Sequence, residues 1–502
     1  MESQAAPEEG ETTPLLPTHE AAIAQRGLSS YFGLKALFGT LVLLLLAGHA
    51  LGLPHATLVF SVFFLTVAGL LLTAVPVAVL VLTALLALTT ANAWQCGPAE
   101  APRDCSSLKE AFAVALGGFA LPLSWLVWAA FNLGLAVELS GLGKRLSLII
   151  LKTFAKNPFS LGPGLLLIEL VTALLIPSNT ARGGALIFPL VVSISKTIGS
   201  RPMERYLVLC GFHANLLSSS AFFYGTVGNP VVAESAEEVF DIEFGFLEWA
   251  AGASIPVIVL FFLLPIMCYR LAGVDDQNYD SASIIRTAEL ELKQMGPFSA
   301  AEKAATTILC ACLICWVFDL LPDGLTALIG LNAMMIVGVI KWDDIRDNGK
   351  AWDAFFWLAG MVLIVEQMNK MGLSRAVGDW CKEVLVDGMT PMNAAFVLGL
   401  FYFMSMYLFS SITSHLVALS TPLLIAGKGA GCPPMLITGL IAYFSGVSAC
   451  LTSYSSGITV MYFSENAFSK KEWHLFGLYA AVLYFIVFAT VGVVWWKMIG
   501  WW

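Results

Sequence analysis

Apolar runs of about 18–25 residues recur from Leu41 to the C-terminus, each long enough to cross ~30 Å of hydrocarbon as one helix. No other feature restricts the chain so much. In lipid every backbone N–H and C=O must be paired inside the protein, so only helices and closed barrels span it. A barrel needs alternating segments of ~10 residues, and these are absent. The expected class is an all-α polytopic membrane protein. With 58% hydrophobic and 12% charged residues, the chain carries about half the charge of a soluble protein.

The apolar segments fall at 36–53, 57–73, 75–91, 116–138, 162–195, 203–230, 246–271, 303–320, 325–340, 352–371, 392–427, 434–463 and 475–499. Segments 162–195 and 392–427 are too long for one crossing. Each is broken near its middle by polar residues, Ser178-Asn179-Thr180 and Ser410-Ser411-Ile412-Thr413-Ser414-His415. A re-entrant hairpin fits both: a helix in, a polar tip at mid-depth, a helix back out. The expected fold has about 11 transmembrane helices plus two such hairpins.

The basic residues support this arrangement. With a cytosolic N-terminus and two hairpins, most of the 26 Lys and Arg fall in cytosolic connections, including Lys144, Arg145, Lys152, Lys293, Lys341 and Lys470. The opposite face keeps Arg103, Lys109, Lys370, Arg375, Lys382, Lys428 and Lys497, and Arg182 lies at membrane depth. The stretch 231–245 is expected as an acidic loop on that outer face. Treating either long segment as a single crossing inverts everything after it and destroys the bias.

The chain also repeats itself. Gly141-Leu-Gly-Lys144 has a counterpart in Gly372-Leu-Ser-Arg375, each after an apolar span and at the start of an amphipathic arm. A broken hairpin follows, and then a span broken at Gly225–Pro230 in one half and Ser453–Gly457 in the other. The arms are assigned to opposite faces, which makes the repeat inverted. In transporters built this way the substrate sits near the midplane, at the repeat interface.

Irregular backbone at membrane depth must be buried in protein or line a watery cavity. Four breaks in matched positions point to one shared cavity. Half-helices beginning at Thr180 and Thr413 offer N–H groups and positive dipole ends to an anion, in the first instance a carboxylate. A single Ser or Thr in a membrane helix usually bonds its own backbone. Matched pairs of tips argue against that reading here. Arg182 is a candidate because an ionisable group at depth is functional by default, although it could snorkel. His415 is a candidate or a packing residue. His213 is read as structural, and Lys370, Arg375, Glu366 and Asp379 as a solvated arm.

Other features bound the answer. Residues 1–34 are read as a disordered cytosolic tail, neither signal nor transit peptide. Its Glu11-Thr-Thr-Pro-Leu15-Leu16 is similar to an acidic dileucine sorting signal. Cys310, Cys312 and Cys315 lack His partners and are assigned to packing. Cys96 and Cys105 share a polar loop and can pair if it faces an oxidising side. No cofactor is expected, and no basic, aromatic-rich patch points to nucleic acid. Neither G-x-S-x-G nor H-E-x-x-H occurs, so no enzyme is expected. Two closed tips favour alternating access over a channel.

Pro177–Gly184, Phe409–His415, Gly228-Asn229-Pro230 and Leu451–Gly457 with Tyr462-Phe463 together resemble the divalent anion:sodium symporter family. The likeness is to the branch of bacterial citrate/succinate and tartrate/succinate antiporters and the plastid 2-oxoglutarate/malate translocator. It covers nearly the whole chain from about residue 36. It implies a homodimer in a lipid bilayer, with a scaffold and a transport domain that slides as an elevator. It implies di- or tricarboxylate substrates such as malate, 2-oxoglutarate, succinate and citrate. Their implied contacts are Ser178, Asn179, Thr180, Gly228, Asn229, Pro230, Ser411, Thr413, Ser455, Ser456 and Gly457, to which the candidates Arg182 and His415 are added for their charge.

Ile412 stands where sodium-coupled members carry Asn. This favours exchange without sodium, with positive charge from Arg182 and His415. The alternative is sodium symport, with Ser178, Asn179, Gly228 and Thr413 at the metal. Ser464–Phe468 departs from the Gly-rich sequence usual there and leaves substrate choice open. The implied division is 35–140 (scaffold), 141–271 (arm, hairpin and broken span), 272–302 (cytosolic linker), 303–371 (scaffold) and 372–502 (second arm, hairpin and broken span). A eukaryotic endomembrane, vacuolar or plasma membrane is favoured over the plastid inner envelope.

Overall fold

The structure is a computed structural model. It describes residue 39 and residues 55–72, 75–97, 101–176, 178–226, 228–274, 280–318 and 320–502. The expected tail and first span, 36–53, lie outside the described residues apart from residue 39. Among the described residues the regular structure is helical except for a two-stranded hairpin, β1 (Gln95–Cys96) and β2 (Arg103–Asp104), paired antiparallel. Among the described residues seven helices are long and apolar enough to cross a membrane, and four shorter apolar helices accompany them.

Two helices set the frame. Helix α1 (Pro122–Ser140) starts with proline in its first turn, where a missing N–H costs nothing. The later helix Gly349–Lys370 packs along it through Trp125 on Phe355, Trp128 on Trp352, and Asn348 Nδ2 donating to Asn132 Oδ1 at 2.9 Å. As one number rises the other falls, so the pair is antiparallel. Each helix ends at a glycine with positive φ, Gly141 at 81° and Gly372 at 75°, a conformation that side chains disfavour. Each glycine turns the chain into an arm, α2 (Leu142–Phe154) or the later Leu373–Cys381. Because the parent helices are antiparallel, the arms leave on opposite faces. The repeat is inverted.

Segment 162–195 divides into α3 (Leu161–Ala173), a break, a wide π-type turn over Ala181–Ile187 and α4 (Phe188–Ile198). Next come α5 (Arg201–Ala221), a break, and α6 (Asn229–Phe240). The expected outer loop at 231–245 is therefore mostly helix. Pro230 sits in its first turn, and Val231, Val232, Ser235, Ala236 and Val239 form a buried stripe, with the acids on the other side. The charge count concealed that period.

The segment between the halves is also more than a linker. Helix α7 (Ser281–Met295) docks on α2. Lys144 pairs with Glu291 and Lys152 with Glu289, each at 2.8 Å. Arg145, buried, holds Glu302 through Nε at 2.5 Å and Nη2 at 3.1 Å, and donates to the Gly296 carbonyl at 2.9 Å. This strap marks the face of the first arm.

The second half continues with α8 (Gly349–Lys370) and α9 (Leu373–Cys381). Its hairpin is α10 (Pro391–Ser405) and α11 (Ile412–Gly429). Its broken span is α12 (Pro434–Val447) and α13 (Gly457–Ser464), and α14 (Lys470–Val487) follows. Cys96 and Cys105 form a disulfide, and the Gln95 N–H donates to Gln367 Oε1 at 2.8 Å, near the end of α8. The disulfide loop therefore lies on the face of the second arm, opposite the strap.

Candidate functional site

Each tip is built around a serine cap. At the first, Ser178 Oγ accepts from the Ala181 N–H at 3.2 Å. At the second, Ser411 Oγ accepts from the Ser414 N–H at 3.3 Å. In the second broken span, Ser456 Oγ accepts from the Thr459 N–H at 3.1 Å. All three serines head short or re-entrant helices and satisfy N–H groups that have no partner within the helix. The half-helix ends are thus partly occupied by their own caps, and the returning helices begin near Asn179 and at Ile412.

Arg182 does not face solvent. Its side chain and that of Glu169 in α3 are fully buried, with Nε 3.1 Å from Glu169 Oε2. Nη1 donates to the Ile176 carbonyl at 2.5 Å. Nη2 donates to Ser218 Oγ at 3.1 Å and to the Gly225 carbonyl at 2.9 Å. Glu169 also accepts from Asn215 Nδ2 at 3.1 Å and Ser218 Oγ at 3.0 Å. The guanidinium therefore joins both helices of the hairpin to the break after α5. A sequence alone does not show Glu169 as its partner, although a carboxylate at this depth was a signal that a base lay nearby.

Asn179 and Thr180 stand at the open end of the first tip. Thr180 is exposed, and its N–H bonds Asn179 Oδ1 at 2.9 Å. Asn215 Nδ2 holds the Asn179 carbonyl at 2.9 Å. Gly228, Asn229 and Pro230 are buried. Asn229 Nδ2 bonds the Ser219 and Phe222 carbonyls, 2.8 and 3.0 Å away, and stitches the break shut. A Cβ on Gly228 would come within 3.1 Å of Leu416 Cδ1, so glycine allows α11 to lie close.

His415 is fully buried beneath the second tip. It shares a 2.8 Å hydrogen bond with Ser405 Oγ, stacks on Tyr402 at 4.2 Å and meets the edge of Phe409 at 5.0 Å. Ser411 and Thr413 are half-buried at the tip itself. Ser455 is buried and donates to the Ala449 carbonyl at 2.8 Å, while Gly457 is exposed.

The two halves cross-pack at and just beyond the breaks, where a Cβ on Gly183 would meet Ile458 Cδ1 at 3.0 Å and one on Gly228 would meet Thr413 Cγ2 at 3.5 Å. Phe188 of the first hairpin packs edge-on against Tyr462 of α13, at 5.1 Å. Ser235 of α6 lies 3.2 Å from Ser420 and accepts from Thr421, both in α11. Each hairpin therefore touches the broken span of the opposite half. His213 lies away from the tips, with Nδ1 3.1 Å from the Tyr484 hydroxyl.

Two hairpins and two interrupted helices, each hairpin packed on the interrupted span of the opposite half, define a secondary transporter of the inverted-repeat type. The chain belongs to the family described as the sodium:sulfate symporter transmembrane region, which matches residues 29–502. It is similar to a Bacillus subtilis protein named for malate transport, YflS, with 30% identity over 77% of this chain and 82% of that one. Dicarboxylate transporter 1 of the spinach chloroplast is 29% identical over 78% and 70% of the two chains. The L-tartrate/succinate antiporter of Escherichia coli is 26% identical over 89% and 93%. The Alcanivorax borkumensis YdaH transporter shares the fold, with a TM-score of 0.51, 15% identity and coverage of 84% and 98%.

Proposed function

We propose that the protein exchanges di- and tricarboxylate anions of the malate, 2-oxoglutarate, succinate and citrate class across a membrane, without sodium. The names of the relatives support the substrate class. The observation that carries sodium independence is the seat of Arg182. Its guanidinium occupies the Ile176 and Gly225 carbonyls, Ser218 Oγ and the Glu169 carboxylate, the kind of oxygen set that a hard cation would take. Ile412 removes a further amide oxygen at the other tip.

In this reading the anion meets Asn179, Thr180 and Thr413, the hydroxyls of the capping serines (Ser178, Ser411 and Ser456, the last also 2.8 Å from Thr459 Oγ1), and the backbone at Gly228 and Gly457. Pro230 and Asn229 fix the break. Arg182 and His415 act from behind the tips, Arg182 as a fixed positive charge. The hairpins and broken spans move together as an elevator against the scaffold of a homodimer. The Cys96–Cys105 disulfide supports an oxidising compartment on the second-arm face and a cytosolic strap. An endomembrane or plasma membrane fits that placement.

Proteoliposomes loaded with or without malate test the reading. Labelled malate should enter only the loaded vesicles, at the same rate with and without a sodium gradient. Uptake that needs sodium and ignores internal malate would establish the symport alternative.

A further inference from the structure

The inverted repeat places one cation at the same point of each arm, Lys144 in α2 and Arg375 in α9. Each cation lines a cavity. On the strap face a cavity of 490 Å³ lies between α1, α2 and the first hairpin. It runs from Lys144 and Glu291 to Ile176 and Ala181, on either side of the first tip. On the disulfide face a cavity of 520 Å³ lies between α8, α9 and α11 and holds Arg375.

The two cations are treated differently. Among the described residues the Arg375 side chain makes no hydrogen bond or ion pair, and it is exposed. Lys144 Nζ is 2.8 Å from Glu291 Oε2, although its side chain is still 58% exposed. Glu291 comes from the strap, and among the described residues no such acid pairs with Arg375 of the second arm. The strap does not depend on this contact. Ile284 and Ala288 of α7 are buried, Lys152 pairs with Glu289, and Arg145 grips the chain at Gly296 and Glu302. Lys152 also holds the Glu289 carboxyl below its ordinary range, so that acid stays charged at neutral pH.

We propose that Lys144 is a docking cation for a di- or tricarboxylate approaching the first tip from the strap face, and that Glu291 competes with the anion for it. The strap then sets the affinity of that face, while Arg375 leaves the other face unmasked. The proposal rests on the carboxylate-exchange reading above. An exposed ion pair is weak, so a multivalent anion can displace Glu291 without undocking α7. Glu138 lines the same cavity, so Lys144 offers an anion its charge there only where Glu291 gives way.

Malate exchange in proteoliposomes of fixed orientation, obtained by capture on a C-terminal tag before reconstitution, gives a KM for each face. Glu291→Gln should lower the strap-face KM roughly 2- to 5-fold at low salt and leave the other face unchanged. The gain should shrink as salt rises. Lys144→Gln should raise the strap-face KM, and adding Glu291→Gln to it should change nothing further. An equal shift on both faces, no shift, or the same shift in the Lys144→Gln background overturns the docking role alone. Wild-type protein that exchanges no carboxylate overturns the underlying reading and the docking role with it.

Discussion

At the first tip a guanidinium and a carboxylate close the hairpin, while at the second an imidazole, a phenol ring and a serine do so. The positions are the same. The offset that carries Ser178 onto Ser411 also carries Glu169 onto Tyr402, Arg182 onto His415 and Pro189 onto Pro422. The serine cap is repeated, because any helix that starts at membrane depth must satisfy its first N–H groups. The charge is not repeated. Arg182 reaches out of its hairpin to Ser218 and Gly225, so the first tip is braced to the broken span of its own half. Among the described residues the side-chain hydrogen bond and ring contacts of His415 stay within its own hairpin, with Ser405, Tyr402 and Phe409.

The largest effect should therefore follow from Arg182→Ala. It leaves Glu169 as an uncompensated buried charge, at a cost of about 3–5 kcal/mol. Thermal unfolding in detergent, followed by gel filtration, should show a large loss of folded protein. Replacing both partners, Arg182→Met with Glu169→Leu, should recover most of that stability, since a buried pair is often matched by apolar residues. Malate exchange should stay lost in the double variant if the guanidinium charge serves the site. Full exchange there would reduce the pair to a structural brace.

His415→Leu comes next. It removes one hydrogen bond and two ring contacts, with Tyr402 and Phe409, while Ser405 Oγ keeps the Tyr402 carbonyl at 2.8 Å. The cost should be about 1–2 kcal/mol, clearly below that of Arg182→Ala. Equal destabilisation by the two substitutions would break the comparison and make the second tip as dependent on its buried polar group as the first.

How far this was legible in the sequence follows from the same contrast. Broken segments, the charge bias and the doubled Gly-Leu motif disclose hairpins and an inverted repeat, because lipid permits few arrangements. The amphipathic period of α6 was hidden because its acids, Glu234, Glu237 and Glu238, read as an outer loop. The strap was hidden because its partners, Lys144, Arg145 and Lys152, lie far away in sequence. At the site the residue types were legible and their directions were not. Arg182 stands four residues after the tip serine, yet a wide turn over Ala181–Ile187 and the distant Ser218 and Gly225 aim it inward.

The smallest effects should separate capping from substrate contact at the serines. A cap replaced by alanine costs about 1 kcal/mol, but glycine in its place only a few tenths. Substrate contact has no such leniency, since alanine and glycine both lack the hydroxyl. Ser178→Ala and Ser411→Ala should each lower thermal stability slightly and raise the malate KM, and the glycine variants should restore stability but not KM. Ser456, which caps α13 beside the exposed Gly457, should behave in the same way. A serine whose glycine variant recovers both quantities serves its helix alone. If that holds at one tip and not the other, the shared cap has been given a second task in only one half of the repeat, as the buried charge has.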